Sequence, residues 1–206
     1  MSPVWPTLEK FALPFWLTTV LDWKAFCETC ETLSVPFCVT STSLSSPSWV
    51  TVLVLQNEIP EAVNIAAAEA ARARGVRVIL NAAPAREMSP VLRGAVDVLV
   101  VNAVEAEMMG AGAVTDLASA LAAARHLAAG QGSVIVTAGA RGLAACAQGE
   151  TQIVLPARAV QAVSTHGAGD CFTGALAAAL ARGVGLAEAC ALASDAAADH
   201  VARPAV

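Results

Sequence analysis

The 206-residue sequence has no basic run, its charged residues amount to only 14%, and its formal net charge is −5. Contact with a nucleic-acid backbone needs clustered Lys and Arg, so that class of partner is excluded. No stretch is long and apolar enough to span a bilayer. The nearest approach, residues 11–21, is short and broken by Pro14, and residues 22–24 offer no small-residue cleavage site. Neither a membrane span nor an export signal is expected, and the cytoplasm is the expected compartment. The six cysteines include Cys27 and Cys30, spaced as in zinc and redox motifs. No second pair and no neighbouring histidine complete a ligand set, so the thiols read as free. Internal repeats are also absent.

What is present is an apolar chain, 56% hydrophobic, with the composition of a globular protein. It divides into two unlike parts. Residues 1–48 hold Trp5, Trp16, Trp23, five prolines and a Ser/Thr run at 40–46, with no sustained helical or strand period. Residues 17–21 and 36–40 are the only short strand candidates there. From Trp49 onward strands and helices alternate. Strands are expected at 50–55, 76–80, 95–101 and 133–137, with a strand pair at 143–147 and 152–155. Helices are expected from Pro60 to Arg74 with Gly75 as the stop, from a Thr115-Asp116 cap to about 129, from 167 to 181, and over 186–201. This alternation predicts a three-layer α/β fold, a mostly parallel sheet with flanking helices. Such sheets bind ligands at the carboxyl ends of their strands, which directs attention to the loops after Leu80, Val101, Val136 and Val163.

The richest loop is His166-Gly167-Ala168-Gly169-Asp170. Glycines let a phosphate approach the backbone, and the loop runs straight into a helix whose first N–H groups and dipole favour an anion. Asp170 stands in that first turn, placed to take a proton from a substrate hydroxyl; the plainer alternative is a helix N-terminal carboxylate. Asn102-x-x-Glu105 can organise Mg²⁺ and its waters, or be a helix cap followed by a solvated Glu. Thr137-x-Gly139-x-x-Gly142 can admit a nucleotide to the backbone, or form a turn between strands. Asn81 can reach the same cleft or satisfy its own turn. His126 and His200 are expected on helix surfaces, and no histidine or cysteine is given a catalytic role.

The segments 80–85, 102–107, 137–142 and 165–170, in that order, resemble the ribokinase (PfkB) family of carbohydrate kinases. The resemblance covers roughly 50–203. It implies a ribokinase-like fold and ATP-dependent phosphorylation of a sugar hydroxyl. By resemblance Asp170 is the catalytic base, and Gly167, Ala168 and Gly169 supply the anion hole. Asn102 and Glu105 help hold Mg²⁺ and phosphates, with Glu105 the metal residue, and Thr137, Gly139 and Gly142 lie at the nucleotide. Many members also use a monovalent cation such as K⁺ near this loop. The expected partner is a small sugar, and the family resemblance leaves room for a homodimer.

Three features depart from the family pattern. The early Gly-Gly/Asn substrate motif is absent, so 1–48 reads as a divergent or truncated segment and 49–206 as the nucleotide-binding, catalytic domain. Ser164 stands where the family usually has Asp, and the chain ends before the usual terminal segment. An inactive nucleotide-binding remnant or interaction module of the same fold is the competing reading. A dinucleotide-binding oxidoreductase ranks last, because no G-x-G-x-x-G follows the first strand.

Overall fold

The computed structural model describes residues 51–129, 132–147 and 151–203. The strand candidates at 17–21 and 36–40, and Cys27, Cys30 and Cys38, lie outside them. The chain runs β1 (Val52–Gln56), α1 (Glu61–Arg72), β2 (Arg77–Asn81), α2 (Pro90–Ala95), β3 (Val98–Asn102) and α3 (Ala103–Met108). It continues with α4 (Leu117–Ala128), β4 (Ser133–Thr137), β5 (Gly142–Cys146), β6 (Gln152–Pro156), α5 (Ala168–Ala181) and α6 (Leu186–Ala202). The strands form one sheet in the order β1-β2-β3-β4-β5-β6. β1 to β4 are parallel, and β5 and β6 add as an antiparallel pair. The expected mostly parallel, three-layer α/β fold is therefore present.

Two short helices add to the expected ones: α2, which shows no helical period in six residues, and α3, which bears out the helix-cap alternative at Asn102. Their caps hold them. The Ser89 hydroxyl accepts the Leu92 N–H at 3.3 Å, with Pro90 in the first turn. At α4 the Asp116 carboxylate accepts the Ser119 N–H at 2.7 Å, confirming the cap read from the sequence.

Both faces of the sheet are covered, and strand alternation sorts the side chains between them. Val78, Leu80, Leu99, Val101, Val134 and Val136 join the core beneath α1, α2 and α4. Ile79, Val98, Val100, Ile135, Leu143 and Ala145 join the opposite core, with Phe172, Leu176 and Leu180 of α5. Each fully buried Leu or Ile of these layers contributes about 1.5–3 kcal/mol. The abundant alanines are spacers: Ala175, Ala179, Ala189 and Ala193 are buried in the second core, where α5 and α6 pack together. Cys171 and Cys190 are buried thiols outside any disulfide, and burial pushes the Cys190 thiol up to about 12, so it stays protonated and inert.

Candidate active site

The same alternation assembles a polar row. Gln56, Asn81, Asn102 and Thr137 close β1, β2, β3 and β4. Each lies two residues beyond Val54, Ile79, Val100 and Ile135, which face the α5 side. Strand parity thus puts all four positions on the α5 side of the sheet at its carboxyl edge, and Gln56 reaches α5 itself. The register pairs Gln56 with Asn81 and Asn102 with Thr137. Neighbouring strands lie about 4.8 Å apart, so the row spans roughly 14 Å from β1 to β4.

α5 aims its N-terminus at the β1 end of this row. Gly167, at φ 73, makes the left-handed turn into the helix, a conformation costly for any residue with a Cβ. The first helical bond is Cys171 N–H to the Gly167 carbonyl at 2.9 Å, so Gly169 and Asp170 donate to no helical carbonyl. A Cβ built on Gly169 meets nothing within 4 Å, so the surface beside its Cα is open. The Asp170 carboxylate is solvent-accessible and accepts the Gln56 amide Nε2–H at 3.3 Å. Surrounding protein displaces enough water to hold its pKa above the ordinary carboxylate range, opposed by the Gln56 bond and the nearby His166 and His200.

Asn102 and Glu105 form a reciprocal capping box at α3: Glu105 N–H donates to Asn102 Oδ1, and Asn102 N–H to Glu105 Oε2, both at 2.8 Å. The local geometry is thus the cap, and it holds the Glu105 carboxylate at the strand edge. Partial burial raises the Glu105 pKa against the lowering effect of the Asn102 N–H. The Thr137 hydroxyl donates to the Val101 carbonyl at 3.4 Å. Gly139, at φ 57, is exposed with nothing within 4 Å of a built Cβ, whereas Gly142 is buried at the start of β5 with its Cα face against β6. The packing of β6 is sufficient reason for a glycine at 142.

Residues 157–165, which lead into the loop, have no regular structure, so the loop after Val163 does not continue a strand. His126 is exposed, and His200 lies on the α6 surface partly covered, with Nε2 2.9 Å from the His166 carbonyl oxygen. Three buried amides carry no sequence motif: Gln56 and Asn57 at the end of β1, and Asn64 on α1. Asn57 Nδ2 donates to the Pro84 carbonyl at 3.2 Å, tying down the loop after Asn81, and Asn64 Nδ2 donates to the Gln56 carbonyl at 2.8 Å. The signal was there: two adjacent amides ending an apolar strand are costly to bury without partners.

Gln56→Leu removes a bond that favours the charged form of Asp170, so its pKa rises further. The titration midpoint of the Asp170 carboxyl is expected to move to higher pH than in wild type, which a ¹³C-carboxyl NMR titration of both proteins checks; an unchanged or lower midpoint contradicts it.

A three-layer sheet carrying an amide-lined helix start and an acceptor carboxylate at its carboxyl edge defines a ribokinase-like α/β protein. One solved structure of that type, ribokinase of Arabidopsis thaliana with ribose and ATP, matches with a TM-score of 0.67 at 32% identity, over 73% of this chain and 49% of that one. In sequence, the ribokinase of Haemophilus influenzae is 36% identical over 129 residues, which is 62% of this chain and 42% of that one. The ribokinase of Mus musculus is 38% identical over 129 residues, 61% of this chain and 40% of that one. The chain thus spans about two-fifths of the length of these curated relatives. The profile of the pfkB family carbohydrate kinases matches residues 35–205, and the chain belongs to that family.

Proposed function

We propose that residues 49–206 form the catalytic portion of an ATP-dependent kinase that phosphorylates a hydroxyl of a pentose such as ribose. The observation that carries this reading is Asp170, accessible in the first turn of α5 and held by Gln56. Its ionised carboxylate accepts the proton of the substrate hydroxyl as the oxygen attacks phosphorus. The amides at the start of α5 receive the charge on the phosphoryl oxygens, with no reorganisation needed during transfer. Positioning of this kind is the main protein contribution to phosphoryl transfer. When bound, ATP supplies the phosphoryl group.

The open approach to Gly139 and Gly169 fits a nucleotide lying across the strand ends. For Mg²⁺, the described residues hold no cluster of three or more His, Cys, Asp or Glu. That fits an ion held mainly by phosphates and water, with Glu105 and Asn102 as its protein contacts, since Mg²⁺ keeps several waters at such sites. The neutral Ser164 hydroxyl accepts the His166 N–H at 3.3 Å and supplies no carboxylate for a potassium ion, so no step is assigned to one. The thiols of Cys146, Cys171 and Cys190, none of them in a disulfide, support a reducing, cytoplasmic setting. No helix among the described residues is long and apolar enough to cross a membrane.

Calorimetric titration with ATP and Mg²⁺, followed by a screen of pentoses for ADP release, tests the reading. Binding with pentose-dependent ADP release is the expected result. Binding without turnover on any sugar supports a nucleotide-binding module instead, and no binding of ATP overturns both.

A further inference from the structure

We propose that His200 is the positioning residue of the phosphate loop: its Nε2–H holds the His166 carbonyl and thereby fixes the peptide that leads into α5. Only the identity of the ligand rests on the kinase reading; the clamp itself does not.

The loop has no ladder of its own, because residues 157–165 lack regular structure. It is held instead by the last turns of α6, at three levels. The Arg158 guanidinium pairs with the carboxylates of Asp195, at 3.6 Å, and Asp199. The Val201 carbonyl accepts the N–H groups of Val163 at 2.7 Å and Ser164 at 3.3 Å. Closest to the anion hole, His200 Nε2 lies 2.9 Å from the His166 oxygen.

A carbonyl oxygen only accepts, so Nε2 carries the proton. The His166 carbonyl and the Gly167 N–H belong to one planar trans peptide, in which O and H point in opposite directions. Drawing the oxygen toward α6 therefore directs the Gly167 N–H away from α6. It also sets the start of the φ 73 turn from which the amides of 168–170 follow. The fit is close: a Cβ on Gly167 would stand 3.2 Å from His200 Nε2. His200 keeps the helix-surface position expected of it, and the incoming loop packs against that surface.

The test compares wild type with His200→Gln, which retains a side-chain N–H at similar reach, and His200→Leu, which retains bulk without a donor. Hydrogen–deuterium exchange of peptides covering 163–171 is measured, with ADP affinity by calorimetry on the same samples. His200→Leu is expected to speed exchange of that segment about tenfold and to weaken ADP binding about tenfold, the effect of one lost hydrogen bond. His200→Gln is expected to stay within about twofold of wild type in both, and α4 peptides to be unchanged throughout. Wild-type exchange in the Leu variant, or a Gln variant as impaired as Leu, overturns the proposal. If wild type binds no ADP, the kinase reading fails while the exchange data still decide the clamp. Imidazole ¹⁵N spectra of wild type need no variant: an Nε2–H tautomer at His200 is expected, and an Nδ1–H tautomer overturns the proposal.

Discussion

Asp170→Asn is expected to lower phosphoryl transfer by about 10²–10⁴-fold, since the amide cannot take the hydroxyl proton. ATP affinity is expected to hold or tighten, because a negative charge beside the phosphates is gone. That split distinguishes a base from a binding residue, and turnover rates with calorimetry on one preparation read it. The variant is also expected to be more stable near neutral pH. Burial raises the Asp170 pKa in the folded protein, so the folded state binds this proton more tightly than the unfolded state does. Stability from this group is full at low pH. It declines as pH rises from the ordinary carboxylate value through the raised folded value, and stays lower above it. Asn removes that cost, so the gain in unfolding midpoint should be present at pH 7 and vanish below the ordinary carboxylate range. Thermal melts across pH measure it, and a midpoint for Asp170→Asn below wild type at pH 7 contradicts it. Stability given up at a site of chemistry is common where a charged group must stay poised.

Gly142→Ala is expected to be the most damaging single-methyl change in the strand layer. The added Cβ would lie 2.0 Å from the Leu155 carbonyl oxygen and 2.6 Å from the Ala157 nitrogen, and the residue's φ is 115. These are backbone atoms of β6 and of the residue that follows it, which cannot rotate aside. Either β6 shifts or the pairing of Gly142 with Pro156 is lost. Backbone strain of this kind costs about 1–3 kcal/mol, and the broken ladder adds to it, so about 3 kcal/mol or more is expected. That corresponds to a melting midpoint lower by roughly 6–12 °C in a domain of this size. Gly139→Ala is the control. Its φ of 57 is also left-handed, but a Cβ there meets nothing within 4 Å, so the cost is about 1–2 kcal/mol. Urea and thermal unfolding separate the two; similar losses at both positions would refute the steric account.

The long elements were legible before any coordinates. Buried parallel strands are continuous apolar runs, and β4 was read to its observed limits, Ser133–Thr137. Helix limits were legible where a residue has one plain local role, as Asp116 has in capping α4 and Gly75, at φ 72, in following α1. The short helix α2 escapes because six residues are fewer than two turns, too few for a period to show, and α3 is legible only through its cap, Asn102.

By itself the sequence determined the alternation of strands and helices, the apolar faces, and the loop at 166–170 that starts a helix with Asp170 in its first turn. Those are local facts, set by periodicity and by what glycine, proline and capping side chains permit. Tertiary structure alone decided the neighbours. Strand register brought Gln56 beside Asn81 and Asn102 beside Thr137, and strand parity put all four positions on one side of the sheet. Packing across the sheet gave Asp170 its partner Gln56, 114 positions away, and the fold of α6 gave the His166 carbonyl its partner His200, 34 positions away. No local pattern encodes such pairs. Each forms only when the burial of apolar faces has already fixed the strands and helices against one another.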